Sequence, residues 1–189
     1  MPLPSIVAVV FAVAAGAPAE TVGKTQSGWT VGAFGGLGLT ILSSEVNRSA
    51  IGLNAGYGKP EPRFRLGKIP AQLVLEGYAF NTRSTGIDMH PAFAETVVGG
   101  LAYSRWRWAR RAGVGAYMDL GIGLSYADRT NRDLDSRLNS TPYFGGGLAL
   151  ARGSHEWLVG LAFHHLSNAG TRGNNQGMNF LLLSVRYRF

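Results

Sequence analysis

Gly113–Tyr126 reads GVGAYMDLGIGLSY, and its alternation decides the fold. Val114, Ala116, Met118, Leu120, Ile122, Leu124 and Tyr126 fall on one parity; Gly115, Tyr117, Asp119, Gly121, Gly123 and Ser125 fall on the other. Successive strand side chains point to opposite faces, so this is a strand with one apolar face and one small or polar face. The same period runs through Trp29–Ile41, where Trp29, Val31, Ala33, Leu37, Leu39 and Ile41 oppose Thr30, Gly32, Gly36, Gly38 and Thr40. In Ala71–Asn81, Leu73, Leu75 and Ala79 oppose Gln72, Glu76 and Tyr78. In 94–108, Val98, Ala102, Trp106 and Trp108 oppose Glu95, Arg105 and Arg107. Segments 142–150, 156–168 and 178–189 complete the set, with 49–66 the least regular because Pro60 and Pro62 cannot donate to a central ladder.

About eight strands result, each reaching the roughly 9–11 residues that cross a bilayer when tilted. Short connections near Gly67–Pro70, Arg110–Ala112 and Arg152–His155 alternate with longer polar ones at Ser43–Arg48, Arg83–Ala92, Ala127–Thr141 and Ala169–Gly177. A soluble barrel would turn its charges outward. Here Glu76, Glu95, Arg105, Arg107, Asp119, Arg186 and Arg188 share their face with the glycines, and the opposite face carries almost no charge. Hydrocarbon cannot solvate a charge, so the charged face belongs inside. The expected fold is all-β: an eight-stranded antiparallel transmembrane β-barrel of the outer membrane, its narrow lumen filled by ion pairs.

Composition agrees. Of 189 residues 27 are glycine, about twice the ordinary share of roughly 7%. Only 15% are charged, although 18 basic against 11 acidic side chains leave a net charge of +7. That low charge density argues against a soluble nucleic-acid binder. The absence of cysteine excludes a disulfide framework, a zinc–thiolate site and a thiol nucleophile. Residues 2–19 form one apolar run ending in Ala17-Pro18-Ala19, the small-x-small pattern of a secretory signal. Cleavage after Ala19 would leave residues 20–189 as a single barrel domain. At the other end Phe189, Tyr187, Val185, Leu183 and Leu181 alternate with Arg188, Arg186 and Ser184. A terminal aromatic closing such a strand is similar to the signal read by the barrel-assembly machinery of Gram-negative bacteria. Trp106, Trp108, Tyr187 and Phe189 are expected at one rim, as an interfacial girdle.

The apolar stripe breaks in one place. Trp157, Val159, Leu161 and Phe163 are followed on the same parity by His165 and Ser167. Side chains two apart on a strand point the same way, and an imidazole beside a hydroxyl is the smallest activated nucleophile. A lipid ester would be presented directly to such a pair. The run His165-Leu166-Ser167-Asn168-Ala169-Gly170, followed by Asn175-x-Gly177, resembles the H-x-S-N-A-G…N-x-G signature of PagL-type lipid A 3-O-deacylases. These are eight-stranded outer-membrane esterases that cut the 3-hydroxyacyl ester at the 3-position of lipid A.

The resemblance implies that His165 is the general base and Ser167 the nucleophile. It further implies that Asn168, Ala169, Gly170 and Asn175 shape the loop and supply N–H groups to the oxyanion. The family's third member is a glutamate twelve residues after the serine, and here Asn179 stands there, on the parity of Leu181 and Leu183. Its amide oxygen can orient the imidazole but adds no negative charge, which implies a weakened enzyme. Glu156 lies on the lumenal parity and about 30 Å of extended strand away, which excludes it as a substitute. His90, His155 and His164 share no acidic cluster, so no metal and no cofactor are expected.

Lipid A, or lipopolysaccharide, is the expected substrate, in the outer membrane with the site's rim toward the outer leaflet. Loop residues Arg48, Arg83, Arg129, Arg132 and Arg172 are the candidates to meet its phosphates. A second copy of the chain is a further candidate partner, and nucleic acid is not. The competing reading is a non-enzymatic structural or adhesive barrel that retains the motif, with the 127–141 loop as its interaction element.

Overall fold

The computed structural model describes residues 27–84, 92–109 and 113–189; the expected signal segment and His90 lie outside them. Eight strands follow in order: β1 (Gly28–Gly38), β2 (Arg48–Leu66), β3 (Ile69–Ser84), β4 (Ala94–Ala109), β5 (Val114–Ala127), β6 (Leu138–Arg152), β7 (His155–Leu166) and β8 (Met178–Arg188). Each pairs antiparallel with its chain neighbour, and β1 closes on β8. The apolar rows continue across that seam, with Leu37 opposite Leu181, Ala33 opposite Val185 and Val31 opposite Tyr187. Closure leaves no open edge, so the backbone groups of the wall are paired within the sheet.

The outer wall is apolar and open to its surroundings. Ile51, Leu53, Leu75, Leu124 and Leu183 are all more than half exposed. A continuous belt of this kind far exceeds the patches a soluble monomer shows, and it matches a hydrocarbon environment. At the short-turn end, Tyr187 packs against His155, Trp157 and Phe189, and Trp29 against Tyr57.

Inside the barrel, charges pair. Arg105 grips Asp119 through two 2.7 Å bonds. Glu76 receives Tyr103 Oη at 2.9 Å and Asn54 Nδ2 at 3.0 Å, with Arg186 3.2 Å away. Glu156 binds Arg107 and Arg188, and Arg48 lies between Glu95 and Asp133. Among the described residues five arginines therefore meet five carboxylates in the lumen, a set with no net charge. Glycines make room for the large side chains of this filling: a Cβ on Gly99 would overlap the Tyr78 hydroxyl, and one on Gly160 the Tyr117 hydroxyl.

The irregularity expected around Pro60 and Pro62 is present: β2 runs to Leu66 with a register shift between Glu61 and Arg65. The pairing of β1 with β2 ends at Gly28–Gly58, so the prolines lie in a projecting β2–β3 hairpin where no β1 ladder needs their missing N–H. Arg48, expected in a loop facing phosphates, is buried: its guanidinium donates to Asp133 at 2.8 Å and is committed to the lumen. The long connection after β5 is shorter than its polar composition implied, spanning 128–137, and it folds into the barrel mouth with Asp133 and Leu134 buried.

Asp133 joins two loops to the wall. Its carboxylate accepts from Ser44 Oγ (3.3 Å), Glu45 N–H (3.1 Å) and Arg48 Nη2 (2.8 Å). Removing one member of a buried pair leaves the other uncompensated, which generally costs 3–5 kcal/mol. Asp133→Ala is therefore expected to destabilise the barrel by about 3 kcal/mol, read as a lowered urea midpoint in detergent micelles. An unchanged midpoint would remove Asp133 from this role.

Candidate active site

The register of β7 and β8 sets His165 directly opposite Asn179. His165 Nδ1 lies 2.6 Å from Asn179 Oδ1. Asn179 has the outward parity expected for it, yet only 1% of it is exposed, because the segment after β1 lies over it. The Leu39 N–H donates to the Asn179 carbonyl and Asn179 Nδ2 donates to the Ile41 carbonyl, both at 2.7 Å. His165 itself is half-buried, its ring parallel to that of Phe163 on the same face.

Ser167 lies just past β7, where its backbone is pinned to the start of β6. It exchanges N–H···O bonds with Ser140 (2.7 and 3.0 Å), and Ser140 Oγ also donates to its carbonyl. Ser167 Oγ accepts from the Ala169 N–H at 3.1 Å, which leaves the hydroxyl hydrogen to be donated elsewhere. The His165 and Ser167 side chains leave the same face of the chain, two residues apart.

The following loop is built around Asn168, which is buried. Its backbone N–H donates to Asn175 Oδ1, its Oδ1 accepts from the Gly170 N–H, and its Nδ2 donates to the Asn174 carbonyl. Thr171 N–H closes onto the Asn168 carbonyl across Ala169 (φ 54°) and Gly170 (φ 75°), the two left-handed positions of a type I′ turn. Ala169 holds that conformation against its own preference, a strain that collects at functional sites. The site's other edges are neighbouring loops: Gly177 N–H reaches the Asp133 carbonyl, Asn174 N–H the Asp135 carboxylate, and Gln176 Nε2 reaches Glu45.

The remaining sequence candidates fall elsewhere. Glu156 sits in the lumen with Arg107 and Arg188. His164 points inward among the rings of Tyr78, Phe80 and Tyr143, and His155 stacks on Tyr187 at the opposite end. Among the described residues no group of three or more His, Cys, Asp or Glu side chains could hold a metal ion. Two contributors escaped the sequence reading, Ser140 and the Ile41 carbonyl, and both act through pairings between distant segments. Gly177 is part of the motif read from the sequence, while its φ of 78° and its place against the imidazole come from the fold.

A closed eight-stranded barrel with an apolar outer wall, a charge-paired lumen and a Ser/His/Asn set at its rim belongs to the class of small outer-membrane β-barrel proteins. The family model described as PagL, lipid A 3-O-deacylase, matches residues 71–188. The chain belongs to this family. Among solved structures, it resembles the crystal structure of the outer membrane enzyme PagL with 21% identity and a TM-score of 0.64, over 83% of this chain and 97% of that one. That likeness shows the shared fold. The outer membrane protein Ail of Yersinia pestis, solved in a phospholipid bilayer nanodisc, aligns with 16% identity and a TM-score of 0.37, over 86% and 99% of the two chains. Comparison with curated proteins gave no match.

Gly177 tests the geometry. A Cβ there would lie 2.6 Å from His165 Cε1, and the left-handed backbone disfavours any side chain. Gly177→Ala is expected to push the imidazole off Asn179 and to cost about 1–2 kcal/mol of stability from the backbone alone. Lipid A deacylation should fall well beyond what the loss of folded barrel explains, comparing turnover per inserted molecule with that of the parent. Parental turnover would mean that Gly177 does not position His165.

Proposed function

We propose that the chain is a serine esterase that hydrolyses the 3-O-linked 3-hydroxyacyl chain of lipid A, with Ser167 as nucleophile, His165 as general base and Asn179 as the group that orients it. The observation that carries this reading is the 2.6 Å contact between His165 Nδ1 and Asn179 Oδ1, with Ser167 two residues beyond His165 on the same face of the chain. A catalytic set facing lipid rather than lumen suits a substrate that stays in the membrane, with its head group at the loop rim and its acyl chains along the wall.

In this mechanism Ser167 Oγ attacks the ester carbonyl while its proton passes to His165 Nε2. The imidazolium keeps Nδ1–H on Asn179 Oδ1 and returns the Nε2 proton to the sugar oxygen as the C–O bond breaks. Water then attacks the acyl-enzyme, giving its proton to Nε2. The tetrahedral centre collapses, the Ser167 oxygen recovers a proton, and the 3-hydroxy fatty acid leaves. The Ala169 N–H, which donates to Ser167 Oγ before attack, and the Asn175 amide NH2 serve in this reading as the donors to the developing oxyanion. Asn175 Oδ1 is occupied by the Asn168 N–H, which fixes which end of that amide is available. Asn168 and Gly170 hold the turn that sets both donors in place.

The loop rim faces the outer leaflet in this reading, with exposed Arg83, Arg129 and Arg172 toward the phosphates. Arg132 is partly committed, since it pairs with Glu45. The adhesive alternative draws no support from the 128–137 loop, whose centre is packed into the barrel mouth.

Mass spectrometry of lipid A from cells producing the parent or Ser167→Ala, with barrel insertion checked by heat-modifiable migration, decides the matter. The parent should yield lipid A lighter by one hydroxyacyl group and Ser167→Ala should leave it intact. Identical acylation in both, with both inserted, rejects the esterase reading.

A further inference from the structure

In the deacylase reading Asn179 holds the imidazole, and the structure identifies what holds Asn179. An amide, unlike a carboxylate, has two chemically different ends. Presented oxygen first, it accepts Nδ1–H, and the lone pair of His165 is then on Nε2, where it can take the Ser167 proton. Presented nitrogen first, it donates to a bare Nδ1, the proton moves to Nε2, and the ring cannot act as a base toward serine. A Ser-His-Asn site therefore works in one of two amide orientations that fill the same space.

The geometry points to the backbone carbonyl of Ile41 as the positioning group that fixes the Asn179 amide and, through it, the His165 tautomer. A carbonyl can only accept. At 2.7 Å from Asn179 Nδ2 it assigns the NH2 to that side, which leaves Oδ1 for His165. Asn179 is buried, so water cannot readily replace either partner. The flipped amide would set its oxygen against the Ile41 oxygen, losing a buried hydrogen bond, which corresponds to a bias of about tenfold to a hundredfold.

The carbonyl is itself held in place by an improbable turn. Ser44 N–H closes onto Ile41 O at 3.1 Å across Leu42 (φ 51°) and Ser43 (φ 72°), two left-handed residues in a turn type that favours Asn-Gly. Such strain persists where its surroundings over-determine it. Here the far side of the turn is clamped by Ser44 Oγ and Glu45 N–H on the buried Asp133 carboxylate, and the near side by Leu39 N–H on the Asn179 carbonyl. The turn's consequence for rate rests on the deacylase reading. The tautomer itself is measurable without substrate.

Nitrogen-15 NMR of the histidine imidazoles in detergent micelles, with His165 assigned by a His165→Gln variant, reads the tautomer directly. The parent should carry its proton on Nδ1 by about tenfold or more over Nε2. Ser43→Pro cannot adopt a positive φ and displaces the Ile41 carbonyl. Its tautomer ratio should fall toward unity, and kcat should fall with KM unchanged. Adding Asn179→Asp to Ser43→Pro should return both the Nδ1 proton and kcat, because a carboxylate accepts at either oxygen and needs no orienting group. Leu42→Asn with Ser43→Gly, residues suited to the turn, should keep the parental tautomer ratio, and provides a second variant if Ser43→Pro does not insert. A parental His165 protonated on Nε2, a Ser43→Pro ratio equal to the parent's, a lost ratio in the Asn-Gly variant, or no recovery in the double variant would each overturn the inference. Ser167-dependent deacylation with the wrong tautomer rejects this inference alone, whereas deacylation that survives Ser167→Ala rejects the esterase reading and leaves the tautomer result standing.

Discussion

A wall that faces hydrocarbon cannot solvate a charge, and an eight-stranded barrel has little room for bulk water inside. Together these constraints require charges within the span to find partners in the lumen. Arg105 with Asp119, Arg186 with Glu76, Arg107 and Arg188 with Glu156, and Arg48 with Glu95 and Asp133 meet that demand. Since this set is neutral, the chain's net charge of +7 is carried by residues outside it. The same narrowness places glycine where Tyr78 and Tyr117 cross the interior. Buried ion pairs are poor sources of net stability against apolar packing; here they keep the barrel filled while the apolar residues face outward.

The filling also reaches the chemistry. Asp133 is at once a partner of Arg48 in the lumen and the anchor of the Ser44–Glu45 end of the turn above Asn179. Its backbone carbonyl holds Gly177, against which the imidazole rests. The rim site is thus assembled from three loops stacked on a charged plug, and two of its turns carry non-glycine residues in the left-handed region. Strain at these positions is sustained because neighbouring loops hold the backbone from several sides.

Much of the fold was legible in the sequence because a lipid-facing strand imposes a strict period of two. Gly113–Tyr126 and the Leu181–Phe189 strand show it without interruption, and the inward placement of Glu76, Arg105, Asp119 and Arg186 follows from parity alone. The reading faltered where parity meets a local exception. Pro60 and Pro62 marked 49–66 as the least regular strand, and parity gives no sign that the hairpin they occupy projects beyond the β1 ladder. Arg48 looked like a loop cation because its position at the start of β2 gives no sign that Asp133, 85 residues away, folds back onto it.

At the site, the sequence determined the residue types and their sides: His165 and Ser167 on one face, Asn179 on the same outward parity of the last strand, and the asparagine- and glycine-rich loop between them. These follow from covalent spacing, since neighbours two apart on a strand share a face. Only the tertiary structure decided that Asn179 is buried, that its oxygen rather than its nitrogen meets His165, and that Ser140 pins the serine backbone. Each of those is a contact between segments far apart in the chain, with Ile41 and Asn179 separated by 138 positions. Periodicity along a strand carries no information about which backbone carbonyl will arrive from across the barrel.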